Sequence, residues 1–202
     1  MGHGIFTLFG IIYPINFFLA VTTVKSAVSS DLVDIIRYAL PQHTHWIDDS
    51  DLAVGCVGLS LLMAYALVSV ASGIQAMRPE GYDNHYGRFQ MSRAKPGLGL
   101  RMYASHYNAL ECFTMFSIAV ILGNLRGMDA HLLANLSLVV ILARKNYHIF
   151  HILDFAILRS IAFDTAFMAI LTIMMEAALP GNSVVKFMTS ESWTLPSLYN
   201  IS

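Results

Sequence analysis

Four apolar stretches set the terms on which this chain can fold: Leu52 to Met77, Met102 to Leu122, His131 to Ile152 and Ser160 to Leu179. Each supplies the roughly 20 residues that a helix needs to cross a hydrocarbon core about 30 Å thick. In lipid the backbone has no water to bond to, so such segments must satisfy their own N–H and C=O groups as helices. A fifth stretch, Ile5 to Val24, has the length but contains Pro14 and Asn16. An all-α integral membrane protein is expected, with four transmembrane core helices and an extra hydrophobic helix at the N-terminus. Composition agrees, since 56% of the 202 residues are hydrophobic and 12% are charged, well away from the balance of a soluble domain. A net charge of −1 supplies no basic groove and excludes nucleic acid as a partner. Cys56 and Cys112 both fall inside spans and read as small core residues, not as a disulfide or a metal pair.

Residues 5 to 24 lack the basic n-region of a secretory signal and the Arg-rich look of a transit peptide, and Phe6 stands where myristoylation wants Ser or Thr. They are expected to form an uncleaved helix that spans or lies in the membrane. The polar segment 25 to 51 contains one amphipathic piece, Asp31 to Leu40, whose apolar positions recur at helical spacing until Pro41 ends it. It should lie at the interface. Between the first two core spans, Arg78, Arg88, Arg93, Lys95 and Arg101 outnumber Glu80 and Asp83, an excess expected on the cytoplasmic side or its equivalent. Residues 180 to 202 form a polar tail in which Trp193 and Tyr199 suit an interfacial anchor. The expected division is therefore 1–51, 52–179 and 180–202. Gly55, Gly58, Ser69, Ala71, Ser72 and Gly73 are small residues of the kind that let membrane helices approach closely. The Asn135-Leu136-Ser137 and Asn200-Ile201-Ser202 glycosylation patterns carry no weight, one lying inside a span and the other at the end of the chain.

Chemistry concentrates in two spans. Met102 to Leu122 carries Asn108 and Glu111 in its first half, and His131 to Ile152 carries Arg144, Tyr147, His148 and His151 in its second. Ionisable groups in hydrocarbon are costly and mark a site by default. The tight turn Gly123 to Gly127 makes the two helices antiparallel, and Asn108 and Arg144 lie equally far from its centre, Arg126. A polar layer shared at one depth follows from that spacing. Arg101, Asn108 and Glu111 fall near one helix face, Arg144, Tyr147, His148 and His151 form a second stripe, and Arg159 returns to the same side of the membrane. A structural alternative stands beside the site: Glu111 and Arg144 as an ion pair that fixes register. His148, His151 and Asp154 also repeat at three-residue steps, with Glu111 or His106 as imaginable partners, but hydrogen-bonded histidines are the more ordinary outcome and no metal is called for.

The string His106-Tyr107-Asn108-Ala109-Leu110-Glu111, the pair Arg144-x-x-Tyr147 and the later Leu158-Arg159 resemble the MAPEG family, the membrane-associated proteins of eicosanoid and glutathione metabolism. The resemblance covers about residues 52 to 179. It implies a left-handed four-helix bundle assembled as a homotrimer, with a glutathione site between neighbouring subunits. It implies Asn108, Glu111, Arg144 and Tyr147 as glutathione-binding residues, with Arg101 and His151 beside them, and Arg159 as the catalytic group that stabilises the thiolate. These types suit the ligand: guanidiniums for its two carboxylates, a carboxylate for its amine, and a cation to favour the thiolate form.

Two departures accompany the resemblance. Glutathione-using members have Arg one turn before the Asn, where this chain has Ala104, and many have an aromatic hydroxyl four residues after the Tyr, where this chain has His151. Losing one bidentate Arg contact costs a few kcal/mol, about a hundredfold in affinity, unless Arg101 substitutes. Two functions remain open. One is a catalytically degenerate member acting as an accessory subunit of a larger membrane complex. The other is a glutathione-dependent transferase or peroxidase working on lipophilic electrophiles from the bilayer. Lipid is a partner in both, with other membrane subunits in the first and a homotrimer in the second, and glutathione is the only cofactor the resemblance suggests. The endoplasmic reticulum and the mitochondrion remain alternatives for the membrane.

Overall fold

The computed structural model of the chain describes residues 11, 13 to 40 and 47 to 190, all helix and connections with no strand among them. In chain order the helices are α1 (Tyr13–Ser29), α2 (Leu32–Ala39), α3 (Asp49–Ala76), α4 (Gly87–Ser92), α5 (Leu98–Leu125), α6 (Ala130–Ile152), α7 (Ala156–Ala178) and α8 (Ser183–Thr189). Pro41, Trp193, Tyr199 and most of the stretch 5 to 12 lie outside the described residues.

Helices α3, α5 and α7 are long and apolar enough to cross a membrane, and α6 is long enough but not apolar enough. Three of the four expected core spans thus meet both conditions, and burial gives the reason for the more polar fourth. Every residue of α6 from Leu133 to Ile141 is buried, because α1, α2, α3, α5 and α7 all pack against it. A helix shielded from lipid by its neighbours tolerates Asn135 and Arg144 in its sequence. Phe116, Leu133, Leu136, Val140 and Ile173 form the fully buried centre where α5, α6 and α7 meet. A Cβ added at Gly123 would come within 3.1 Å of Leu133 Cδ1 and 3.4 Å of Ile173 Cγ2, so these helices approach as closely as glycine allows.

Turn chemistry fixes the antiparallel order. α5 ends in a Schellman motif: Gly127 has φ 68°, its N–H reaches the Asn124 oxygen at 3.1 Å, and the Met128 N–H reaches the Gly123 oxygen at 2.9 Å. Asp129 then caps α6 by accepting from the Leu132 N–H at 2.8 Å. α6 ends the same way, with the Asp154 N–H on His151 O at 3.3 Å and the Phe155 N–H on Phe150 O at 2.8 Å, but a non-glycine residue, Asp154, occupies the left-handed position at φ 65°. An L side chain in that conformation costs about 1 kcal/mol relative to glycine. Asp154→Gly is therefore expected to raise the thermal unfolding midpoint of the purified protein, and a lowered midpoint would show that the carboxylate contributes more than the strain removes.

The N-terminal helix runs past its expected end at Val24 to Ser29, with Pro14 harmless in the first turn. Its buried positions Asn16, Ala20 and Val24 face α7 and α6, while Ile15, Phe17 and Phe18 point outward. Asp31, at φ 50°, caps α2 through the Asp34 N–H at 3.2 Å and starts a polar latch onto the core. Its other carboxylate oxygen meets His131 Nε2 at 2.8 Å, His131 Nδ1 meets Asp49 at 2.9 Å, and Arg37 donates to Asp49 at 2.6 Å. Asn135 donates to Asp31 at 3.2 Å and accepts from the Val33 N–H at 3.1 Å. The Asn of the discounted glycosylation pattern is thus a docking post for the N-terminal segment. Burial pushes the Asp31 carboxyl up, but hydrogen bonds from His131, the Asp34 N–H and Asn135 outweigh it and hold the group below its ordinary value. A depressed carboxyl contributes stability above its unfolded pKa and loses it as pH falls through the folded one. Proteolysis between α2 and α3 is accordingly expected to accelerate below about pH 4, and Asp31→Asn should remove that acid dependence.

The tail after α7 is more structured than a polar anchor. Asn182 caps α8 by accepting from the Val184 and Val185 N–H groups at 3.0 Å each, and the Lys25 ammonium of α1 donates to the main-chain oxygens of Phe187 and Ser190. Both terminal segments are thereby tied to one end of the core.

Candidate functional site

The two ends of the helix core differ in charge. Basic residues from Arg78 to Arg101, with Arg144, Lys145 and Arg159, lie toward the end where α3 stops and α5 starts, whereas Asp31, Asp34, Asp48, Asp49, Asp51 and Asp129 lie at the other. The candidate site belongs to the basic end.

Arg144 is its deepest member. Its side chain reaches α5 and donates from Nη2 to the main-chain oxygen of Asn108 at 2.8 Å, which places the two residues at one depth. The guanidinium lies 4.2 Å from the Tyr147 ring centroid and 5.8 Å from that of Phe163 on α7, and the residue is 3% exposed. Its Nε is buried with no hydrogen-bond partner among the described residues. Tyr147 packs against His148, His151 and Phe163, with ring centroids 5.3, 5.6 and 6.1 Å away. His151 Nδ1 faces Arg159 Nη1 at 3.4 Å and is within electrostatic reach of Arg101 and Arg144. The Arg159 guanidinium thereby joins α7 to α6 at His151.

Not every expected member joins them in the expected way. Glu111 and Arg144 form no ion pair within 4.0 Å, and the register-fixing pair is corrected: the ion pairs among the described residues are Arg37–Asp49, Asp31–His131 and Asp49–His131, all at the acidic end. Helix geometry explains this. On α5, Ser105, Ala109, Cys112 and Phe116 are buried, while Tyr107, Glu111, Thr114 and Ile118 form an exposed stripe turned away from α6. Asn108 is half-buried beside that stripe, and its carboxamide donates back to Ala104 O at 3.4 Å. Arg101 has its Nε on the Ile152 oxygen at 3.0 Å, where it satisfies the C-terminal carbonyls of α6.

Sequence reasoning missed two contacts. Ser105 Oγ and His148 Nδ1 form a buried 2.7 Å hydrogen bond that joins α5 to α6, and His106 Nδ1 lies 2.9 Å from Ala64 O and joins α5 to α3. Small polar residues facing a histidine at one depth were the available signal. The repeat of His148, His151 and Asp154 gathers no cation site. The grouped donors among the described residues are Asp31, Asp34 and His131 at the acidic end, where both ring nitrogens of His131 already engage carboxylates.

Helices long and apolar enough to cross a membrane, with a guanidinium-bearing polar layer toward one end, define an integral membrane protein. A family model, that of the MAPEG family, matches residues 52–179, and the chain belongs to that family, membrane proteins of glutathione and eicosanoid metabolism. No curated protein and no solved structure matches it.

Proposed function

We propose that this chain is a catalytically degenerate member of the family, serving as an accessory subunit of a larger membrane protein complex. The observation that carries this reading is the use made of Arg101. The chain has Ala104 where glutathione-using members have the clamping Arg, and the nearest substitute, Arg101, is drawn to the Ile152 carbonyl. The second guanidinium, Arg144, is likewise turned inward to a main-chain oxygen. The docked N-terminal helices and α8 support the same reading, because they add partner-facing surface outside the family region. In this reading residues 52–179 form the family's four-helix bundle, 1–51 an N-terminal appendage and 180–202 a C-terminal one. The basic end faces the cytoplasm or the matrix, according to whether the membrane is that of the endoplasmic reticulum or the mitochondrion.

One observation favours the second reading, a glutathione transferase or peroxidase in a homotrimer. Arg144 keeps a buried Nε with no hydrogen-bond partner among the described residues, and Arg159 Nη1 lies 3.4 Å from His151 Nδ1. In that case Asn108, Glu111, Tyr147 and His151 would bind glutathione with Arg101 and Arg144, and Arg159 would stabilise the thiolate. Calorimetric titration of the purified protein with glutathione separates the two. The accessory reading expects no saturable heat at micromolar glutathione. Saturable binding lost in Arg159→Ala, together with conjugation of a hydrophobic electrophile, would overturn it.

A further inference from the structure

Outside the polar layer, the connection between α3 and α5 borders an open pocket of about 1160 Å³ whose wall carries Arg78, Arg93 and Lys95. We propose that this pocket binds the phosphate group of a membrane phospholipid, held by those three cations. None of the three forms an ion pair within 4.0 Å among the described residues, although Glu80 and Asp83 share the wall. Asp83 is instead turned to its own backbone, accepting from the His85 N–H at 2.8 Å.

The pocket is built rather than left by a loose loop. The carboxamides of Gln75 and Gln90 both donate to the Gly81 oxygen, at 3.2 and 3.0 Å, and Gln90 accepts from the Asp83 N–H at 2.9 Å. α4 is pinned to the core by Met91, 1% exposed, and by the Tyr103 hydroxyl, which donates to Arg88 O at 3.0 Å. The Arg93 guanidinium carbon sits over the Phe89 ring, 4.0 Å from its centroid, a cation–π contact that holds the group at the pocket wall and leaves N–H groups for a phosphate.

Position selects the source of that phosphate. The pocket begins where α3 ends and closes where α5 begins, at the basic end of two membrane-length helices, which is headgroup depth. Tyr82, Tyr86 and Phe89 are exposed around it, the aromatic pattern of a membrane–water interface. A soluble phosphate ester offers the same anion, but only a phospholipid arrives at that depth with its chains already in the bilayer.

Native mass spectrometry of the full chain released from detergent micelles tests the assignment, with dioleoylphosphatidylglycerol, dioleoylglycerol and sn-glycerol 3-phosphate as probes. Phosphatidylglycerol should remain bound, dioleoylglycerol should not, and the triple change Arg78→Gln, Arg93→Gln, Lys95→Gln should weaken phosphatidylglycerol binding about a hundredfold. The exposed single changes Arg93→Gln and Lys95→Gln, which leave the core untouched, should each weaken it about fivefold. Binding of glycerol 3-phosphate with no gain from acyl chains would uphold the phosphate pocket and overturn its assignment to lipid. Equal retention of dioleoylglycerol, or phosphatidylglycerol binding unchanged by the single changes, would overturn the proposal outright.

Discussion

Ala104→Arg is expected to raise the affinity of the protein for glutathione about a hundredfold, the effect of restoring one charge-assisted bidentate contact to a carboxylate. Position 104 is half-buried and lies on the same side of α5 as Tyr107, Asn108 and Glu111, at steps of three, four and seven residues. A guanidinium there would stand one turn from Asn108 and clear of the carbonyl that occupies Arg101. Titration calorimetry on the wild-type and the variant measures the gain. If Ala104→Arg binds no better than wild-type, the loss of the site lies beyond one missing clamp, in the inward turn of Arg144 or the outward turn of Glu111.

The second large effect concerns Arg144 itself. Truncation to Ala is expected to cost about 3 kcal/mol, because it empties the space between Tyr147 and Phe163 and strips Asn108 O of a donor. Arg144→Met, which keeps the volume and removes a buried cation that has no carboxylate partner among the described residues, is expected to leave stability unchanged or raised. Equilibrium unfolding in mixed micelles compares the two. A loss with Met as large as that with Ala would show that the charge, not the packing, holds α5 to α6. Stability retained in the Met variant together with lost glutathione affinity would instead speak for the enzyme reading.

What could be read from the sequence follows from which signals are local. Hydrophobic length placed the long helices, and equal distance from the Gly123 to Gly127 turn brought Asn108 and Arg144 to one depth, since each residue of a membrane helix advances it by a fixed rise. The rotation of each helix was not legible. A polar stripe on α5 was evident, but whether it turned toward α6 or away depended on packing, and Glu111 is exposed while Ser105 and Cys112 are buried. The central place of α6 was hidden for the same reason, because a shielded helix and a lipid-facing one differ in what surrounds them. The latch of Asp31, Asn135, His131 and Asp49 joins segments about a hundred residues apart in sequence, and no periodicity announces such a contact. The site was legible as a set of residue types; its geometry was not, since Arg101 and Arg144 spend their donors on main-chain oxygens.

The size of the particle that this chain forms in its own membrane tests the central claim most directly. Extracted untagged in mild detergent and resolved by native electrophoresis, it should co-migrate with a complex much larger than three copies of the 22.3 kDa chain. Migration as a free trimer of that chain, with glutathione turnover in the same band, would contradict the account.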